Sequence, residues 1–199
     1  MLILASSSPR RQELLSSAGI AFTVHPVDIP EIPREGELPR AFAERAAREK
    51  ALAIFSQQAG DFVLGADTIV VVDREILGKP HDAADAARML RLLSGRRHEV
   101  TTAVCLLGPC DEGSRTDPAF EDVRSETTFV TMNAMREEDV LAYIASGEPM
   151  DKAGAYAIQG GASRWITKVE GDYNNVVGLP LELVNRMLHE HGVVGGIET

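Results

Sequence analysis

One aspartate lies where packing alone has no use for it. The run Phe62-Val63-Leu64-Gly65-Ala66-Asp67-Thr68-Ile69-Val70-Val71-Val72 is almost continuously apolar, the pattern of a strand buried on both faces. An ionised carboxylate inside it must be paired, hydrogen-bonded or bound to a cation, because burying it alone is costly. Carboxylates are also the natural ligands of Mg²⁺ and Mn²⁺. A second feature is Ser6-Ser7-Ser8-Pro9-Arg10-Arg11, directly after a short apolar run. Ser8 fits the cap of a helix and Pro9 its first position. The N-terminus of a helix presents backbone N–H groups and the positive end of its dipole, which together suit a phosphate. Ser6 and Ser8 add hydroxyls, and Arg10 and Arg11 can fork onto phosphate oxygens. The third set is Glu31, Lys50 and Lys79, near expected element ends. A second carboxylate would complete a metal site, and two ammonium groups would offset the charge of a triphosphate.

Each feature has a plainer reading. The serines and arginines can be a capped helix with two solvated cations, and Glu31, Lys50 and Lys79 ordinary surface charges. A strand-end aspartate can be satisfied by backbone N–H groups. The plain reading accounts least well for Asp67, which lies within a nearly continuous apolar run. His25, His81, His98, His189 and His191 form no metal-ligand spacing, and Gly160-Gly161 reads only as a flexible turn.

The elements that must position these residues follow from periodicity and punctuation. Leu2 to Ala5 is a short strand, and the helix opened by Ser8 and Pro9 carries Leu14, Leu15 and Ala18 inward to a stop at Gly19. Phe22 to Val27 reads as a strand, and Pro30 and Pro33 break the segment after it. A helix is expected from about Pro39 to Gln58, then the Asp67 strand and a loop at Gly78-Lys79-Pro80. Asp82 caps a helix that ends at Gly95. Val100 to Leu107 and Val123 to Met132 are strands joined through the polar turn region Gly108 to Pro118, as a hairpin. A short helix at Glu137 to Ile144, an irregular Gly-rich stretch from Asp151 to Ala162, a strand at Trp165 to Val169 and a helix after Pro180 complete the chain. The result is an α/β fold: a mixed sheet flanked by helices, in one domain spanning residues 1–199, with two lobes.

The 199 residues and 44% hydrophobic content suffice for one sizeable core. A net charge of -10 repels polyanionic backbones, so a long nucleic acid is not an expected partner, whereas a small phosphorylated ligand with local cations is compatible. Cys105 and Cys110 give no disulfide framework and read as two separate thiols. The N-terminus lacks a signal-peptide pattern and no segment approaches a membrane span, so a soluble, cytoplasmic protein is expected.

Seven segments, in order, resemble the Maf family of nucleoside triphosphate pyrophosphatases. They are Ala5-Ser6-Ser7-Ser8-Pro9-Arg10-Arg11-Gln12-Glu13-Leu14-Leu15, Arg48-Glu49-Lys50-Ala51, Gly65-Ala66-Asp67-Thr68-Ile69-Val70, Gly78-Lys79-Pro80, Asp151-Lys152-Ala153-Gly154-Ala155-Tyr156, Ile158-Gln159-Gly160 and Val177-Gly178-Leu179-Pro180. The resemblance implies an elongated α/β fold with a central cleft, a homodimer, and hydrolysis between the α- and β-phosphates with a divalent ion such as Mg²⁺ or Mn²⁺. It makes Asp67 the proton acceptor, with Lys50 and Lys79 also catalytic. Ser8, Arg10 and Arg11 handle phosphate, and Glu31 and Asp67 hold metal. It also implies a subfamily. Ser-Pro-Arg-Arg, Gly-Ala-Asp-Thr and Tyr-x-Ile-Gln-Gly look like members acting on dTTP and UTP, which puts Arg11, Thr68 and Gln159 at the specificity points. The branch acting on 7-methyl-GTP carries Trp after the Pro, Ser-Asp-Gln for Ala-Asp-Thr, and Glu for the Gln. A Gln amide offers both a donor and an acceptor to a uracil or thymine edge. Gly160-Gly161-Ala162-Ser163-Arg164 is a small departure after the Gln-Gly.

Overall fold

The computed structural model describes residues 1–58, 60–110 and 117–193. Its elements are β1 (Leu2–Ala5), α1 (Pro9–Ser17), β2 (Thr23–Val24), α2 (Pro39–Phe55), β3 (Phe62–Val72), β4 (Glu75–Leu77), α3 (Ala83–Leu93), β5 (Arg97–Leu107), β6 (Glu121–Met132), α4 (Glu137–Ala145), β7 (Ile166–Glu170), α5 (Tyr173–Val177) and α6 (Leu181–Glu190). The sheet is mixed, in the order β2-β1-β3-β5-β6-β7 with β4 paired to β3. β1 runs parallel to β2 and β3, while β4 and β7 run antiparallel to β3 and β6. The mixed α/β architecture expected from the sequence is therefore the one observed. The polar turn between β5 and β6 falls in part on residues 111–116, outside those described.

The chain forms two compact units. The first comprises residues 1–67, 102–126 and 178–199. Its order follows from alternation along parallel strands, whose side chains point to opposite faces. Leu2 and Leu4 of β1 and Leu64 and Ala66 of β3 join Leu15 of α1 and Leu183, Val184, Met187 and Leu188 of α6 in one apolar cluster. The intervening residues Val63, Gly65 and Asp67 consequently face the other side of the sheet, where α2 lies. There α2 comes so close that a Cβ on Gly65 would stand 2.3 Å from the Ala47 carbonyl oxygen and 2.8 Å from the Ala51 nitrogen. Glycine is the residue that permits this approach.

The second unit comprises residues 68–101 and 127–177. Asp82 caps α3 as expected, its side chain accepting from the Asp85 N–H at 2.8 Å. α3 packs on α4 and on the turn at Ala153–Ala155. The stretch read as irregular, Asp151 to Ala162, holds the 3₁₀ turn Ala153–Ala155 and overlaps two more, Glu148–Asp151 and Gly161–Trp165, at its ends. Two elements escaped the sequence reading: β4, which is three residues long, and α5, which has one buried apolar residue (Val177) and no usable periodicity. Cys105 and Cys110 are free thiols, and the Cys110 thiol donates to the Asp117 carbonyl at 3.0 Å.

His98, to which the sequence assigns no role, is a core residue of this unit, 2% exposed. Its Nε2 is 2.8 Å from the Tyr156 hydroxyl, and the two rings meet edge to face. Burial pushes its pKa down to about 4 from the ordinary 6.5. Between those values the unfolded chain binds a proton that the folded one refuses, so the stabilisation present above pH 6.5 is lost as pH falls towards 4. The expected loss from this group is about 3 kcal/mol. His98→Gln keeps a partner for Tyr156 and cannot titrate. Denaturation curves from pH 4 to 7 should show a shallower pH slope for the variant than for the parent; equal slopes would exclude His98 as the source.

Candidate active site

The first unit gathers its reactive groups where β1 ends, beside Asp67, which lies in the middle of β3 two residues past the part paired with β1. β1 and β3 pair with Ala5 opposite Gly65. The Ser6-Ser7-Ser8 turn that leaves β1 thus lies beside Ala66 and Asp67. Open parallel sheets bind ligands at such strand ends. α1 begins at Pro9, as read from the sequence, but Ser8 makes no side-chain cap bond. Its backbone N–H instead donates to Ser6 Oγ at 3.2 Å.

Asp67 is 3% exposed and Lys50 is 7% exposed. Lys50 reaches across from α2 and donates to Asp67 Oδ1 at 2.6 Å and to Glu31 Oε1 at 2.6 Å. The Asp67 partner demanded by the sequence is therefore an ammonium group shared with a second carboxylate. Burial holds the Asp67 carboxyl above the usual range; Lys50 opposes that rise, and the nearby Glu31 adds to it. Three residues flagged from different parts of the chain, 31, 50 and 67, thus meet at one point.

Arg11 is held by the protein itself. It is buried, and its Nε and Nη1 donate to the Gly178 carbonyl at 2.8 Å, the Ala66 carbonyl at 2.9 Å and Ser6 Oγ at 3.2 Å. Neither a solvated arginine nor a guanidinium whose whole fork faces a phosphate describes it. It ties the start of α1 to the strand carrying Asp67 and to the Gly178 backbone. Burial lowers its pKa, and the neighbouring Asp67 and Glu31 charges oppose that. Arg10 is half-buried, one residue closer to the helix start.

In the second unit Lys79 and Gln159 are exposed and Thr68 is half-buried. The Lys79 loop is fixed by the Gly154 N–H, which donates to the Gly78 carbonyl at 3.0 Å. The Gln159 loop is braced at two points. Gly161 N–H donates to Glu148 Oε2 at 2.9 Å, and Ala157 N–H donates to the Tyr143 hydroxyl at 3.1 Å. The turn read as merely flexible is thus hydrogen-bonded in place, and Glu148, which braces it, carried no signal in the sequence beyond its charge.

Among the described residues no three His, Cys, Asp or Glu side chains converge as a ready metal site. Two do approach a common cation: Glu31 and Asp67 hold one ammonium between them. An all-oxygen pair suits a hard ion such as Mg²⁺, which commonly takes one or two protein carboxylates and completes its shell with water and substrate phosphates. The residues present fit a divalent ion on those terms.

The family model for Maf-like proteins matches residues 1–191. The chain belongs to the Maf family. Maf relatives cover it almost end to end. It is 54% identical to a dTTP/UTP pyrophosphatase of Koribacter versatilis, over 97% of this chain and 95% of that one. It is 50% identical to a dTTP/UTP pyrophosphatase of Geobacter metallireducens over 90% of each chain, and 47% identical to one of Shewanella oneidensis over 97% of this chain and 99% of that one. The solved structure of the Staphylococcus aureus Ham1 protein aligns with a TM-score of 0.42 at 13% identity, covering 96% of this chain and 98% of that one.

Proposed function

We propose that this Maf protein hydrolyses dTTP and UTP to the monophosphate and pyrophosphate. The observation that carries the chemistry is the buried Asp67 held at 2.6 Å by a lysine shared with Glu31. The substrate class is supported by relatives about half identical over nearly the whole chain.

In this reading Asp67 accepts the proton of a water molecule whose oxygen forms the new bond to the α-phosphorus. The bridge to the β-phosphorus breaks, and pyrophosphate leaves with the electron pair. Lys50 opposes the rise that burial imposes on the Asp67 carboxyl and offsets charge developing on the phosphates. Ser8, Arg10 and the first N–H groups of α1 hold phosphate oxygens. Glu31 and Asp67 would carry a divalent ion, which supplies charge neutralisation and polarisation of the phosphate when bound. Lys79 is assigned to the triphosphate, and Thr68 and Gln159 to the base, on the strength of their motifs.

The part of base discrimination given to Arg11 moves to Arg10 in this proposal. Arg10 is the residue after Pro9, where the 7-methyl-GTP branch carries Trp, and Arg11 is committed to Gly178, Ala66 and Ser6. Residues 1–199 are proposed to act as one catalytic module, soluble in the cytoplasm and paired as a homodimer. No described helix is long and apolar enough to cross a membrane.

The test is pyrophosphate release from a panel of nucleoside triphosphates with Mn²⁺ or Mg²⁺, repeated in EDTA. Metal-dependent release from dTTP and UTP, with little from 7-methyl-GTP, is the expected result. Preference for 7-methyl-GTP would overturn the subfamily. No release from any nucleotide would leave a nucleotide-binding regulator as the reading to pursue.

A further inference from the structure

Glu31 needs an explanation that its own segment does not supply. It lies between Pro30 and a second proline at 33, in a stretch without helix or strand from His25 to Leu38, and its side chain is 32% exposed. A carboxylate on such a segment samples many positions unless something outside it fixes the backbone. Lys50 alone is a weak tether, since one ion pair at a half-open position contributes little once the ordering of the chain is counted.

A second tether is present on the same helix. Arg45 of α2 donates from Nε and Nη2 to both oxygens of Glu37, at 2.7 Å each, in the forked geometry that gives arginine–carboxylate pairs their directionality. Its Nη1 donates to Glu49, one helical turn on, at 3.1 Å. Its Nη2 also donates to the carbonyl of Ile32, the residue next to Glu31, at 3.0 Å. Glu37 closes the loop on itself by accepting the Arg34 N–H at 2.9 Å. With 17% and 11% of their side chains exposed, Arg45 and Glu37 are unlike a solvated surface pair. All these bonds fall within residues 31–49 of the first unit.

We propose that Arg45 is a positioning residue for the active site: paired with Glu37 and bonded to the Ile32 carbonyl, it holds the 31–37 segment on α2 and so keeps the Glu31 carboxylate at Lys50 and Asp67. Lysine cannot replace it, because one ammonium cannot fork onto Glu37 while also reaching Ile32 and Glu49. The functional consequence rests on the reading above, in which Glu31 and Asp67 hold the ion.

The experiment is a double-mutant cycle of Arg45→Met and Glu31→Gln with two readouts besides turnover. The first is Mn²⁺ binding to the nucleotide-free protein, followed by the free-ion electron paramagnetic resonance signal. The second is amide hydrogen exchange over residues 31–37. Arg45→Met is expected to weaken Mn²⁺ binding by about 10–100-fold, as loss of a group that orients a ligand does. The double variant should bind no more weakly than Glu31→Gln alone, because Arg45 acts through Glu31. Exchange over 31–37 should accelerate in Arg45→Met and stay near parental in Glu31→Gln. Glu37→Gln, which keeps the shape of the pair and loses its charge, should move both readouts in the same direction and guards against misfolding of the first variant. Unchanged exchange in both Arg45→Met and Glu37→Gln would overturn the clamp. So would losses in Mn²⁺ affinity that simply multiply in the double variant. If instead Glu31→Gln leaves Mn²⁺ binding intact while exchange behaves as expected, the clamp stands and the assignment of Glu31 to the ion falls.

Discussion

Asp67→Asn is expected to lower kcat/KM for dTTP and UTP by about 10²–10⁴-fold, the range a positioned general base contributes. The substitution is nearly isosteric. Its amide oxygen can still accept from Lys50, and Lys50 keeps Glu31 at 2.6 Å. Burial is the largest influence on the Asp67 carboxyl and works against its charge, a cost that a neutral amide does not bear. The melting temperature should therefore stay near the parental value while turnover collapses. That separation is the diagnostic part: Glu31 stays on Lys50, so the substitution leaves no uncompensated buried charge to cost stability. Turnover near the parental rate would remove Asp67 as proton acceptor. A large fall in melting temperature with an equal loss of both activities would mark the Lys50–Asp67 pair as structural.

What could be read from the sequence, and what could not, divides along a physical line. Asp67 was legible because a charge inside an apolar strand violates the burial rule whatever surrounds it, and Pro9 and Asp82 because helix starts are local chemistry. The long elements α2, β3, α3 and β6 were legible from apolar patterning together with the cap and glycine signals at their ends. Partners were not. Lys50 and Glu31 looked like common surface charges until the fold brought Lys50 within 2.6 Å of both Glu31 and Asp67. The acceptors of Arg11 were hidden for the same reason: Ala66 and Gly178 are 55 and 167 residues away in sequence. Arg45 is one charge among several on α2, and its forked partner Glu37 lies ahead of the helix, where sequence alone does not pair the two.

Gly65→Ala should be the most damaging single-methyl change in the first unit. The added carbon would stand 2.3 Å from the Ala47 carbonyl oxygen, 2.8 Å from the Ala51 nitrogen and 2.9 Å from the Ala51 Cβ. Two of these three are backbone atoms of α2, so no side-chain rotation relieves the contact and the helix must back away from β3. Overpacking of a core typically costs 1–3 kcal/mol, and backbone neighbours put this case at about 3 kcal/mol or more. For a chain of this size that corresponds to a melting temperature lower by roughly 6–12 °C. The same displacement carries Lys50, which lies on α2 next to Ala51, away from Asp67 two residues along the strand. Turnover should consequently fall even at temperatures where the variant is fully folded, which a simple loss of stability would not produce. Gly60→Ala is the matched control, because a Cβ there meets nothing within 4 Å. Parental melting and parental turnover in Gly65→Ala would mean that α2 does not need this close approach, and the glycine of the Gly-Ala-Asp-Thr motif would then owe its place to something other than the seating of Lys50 against Asp67.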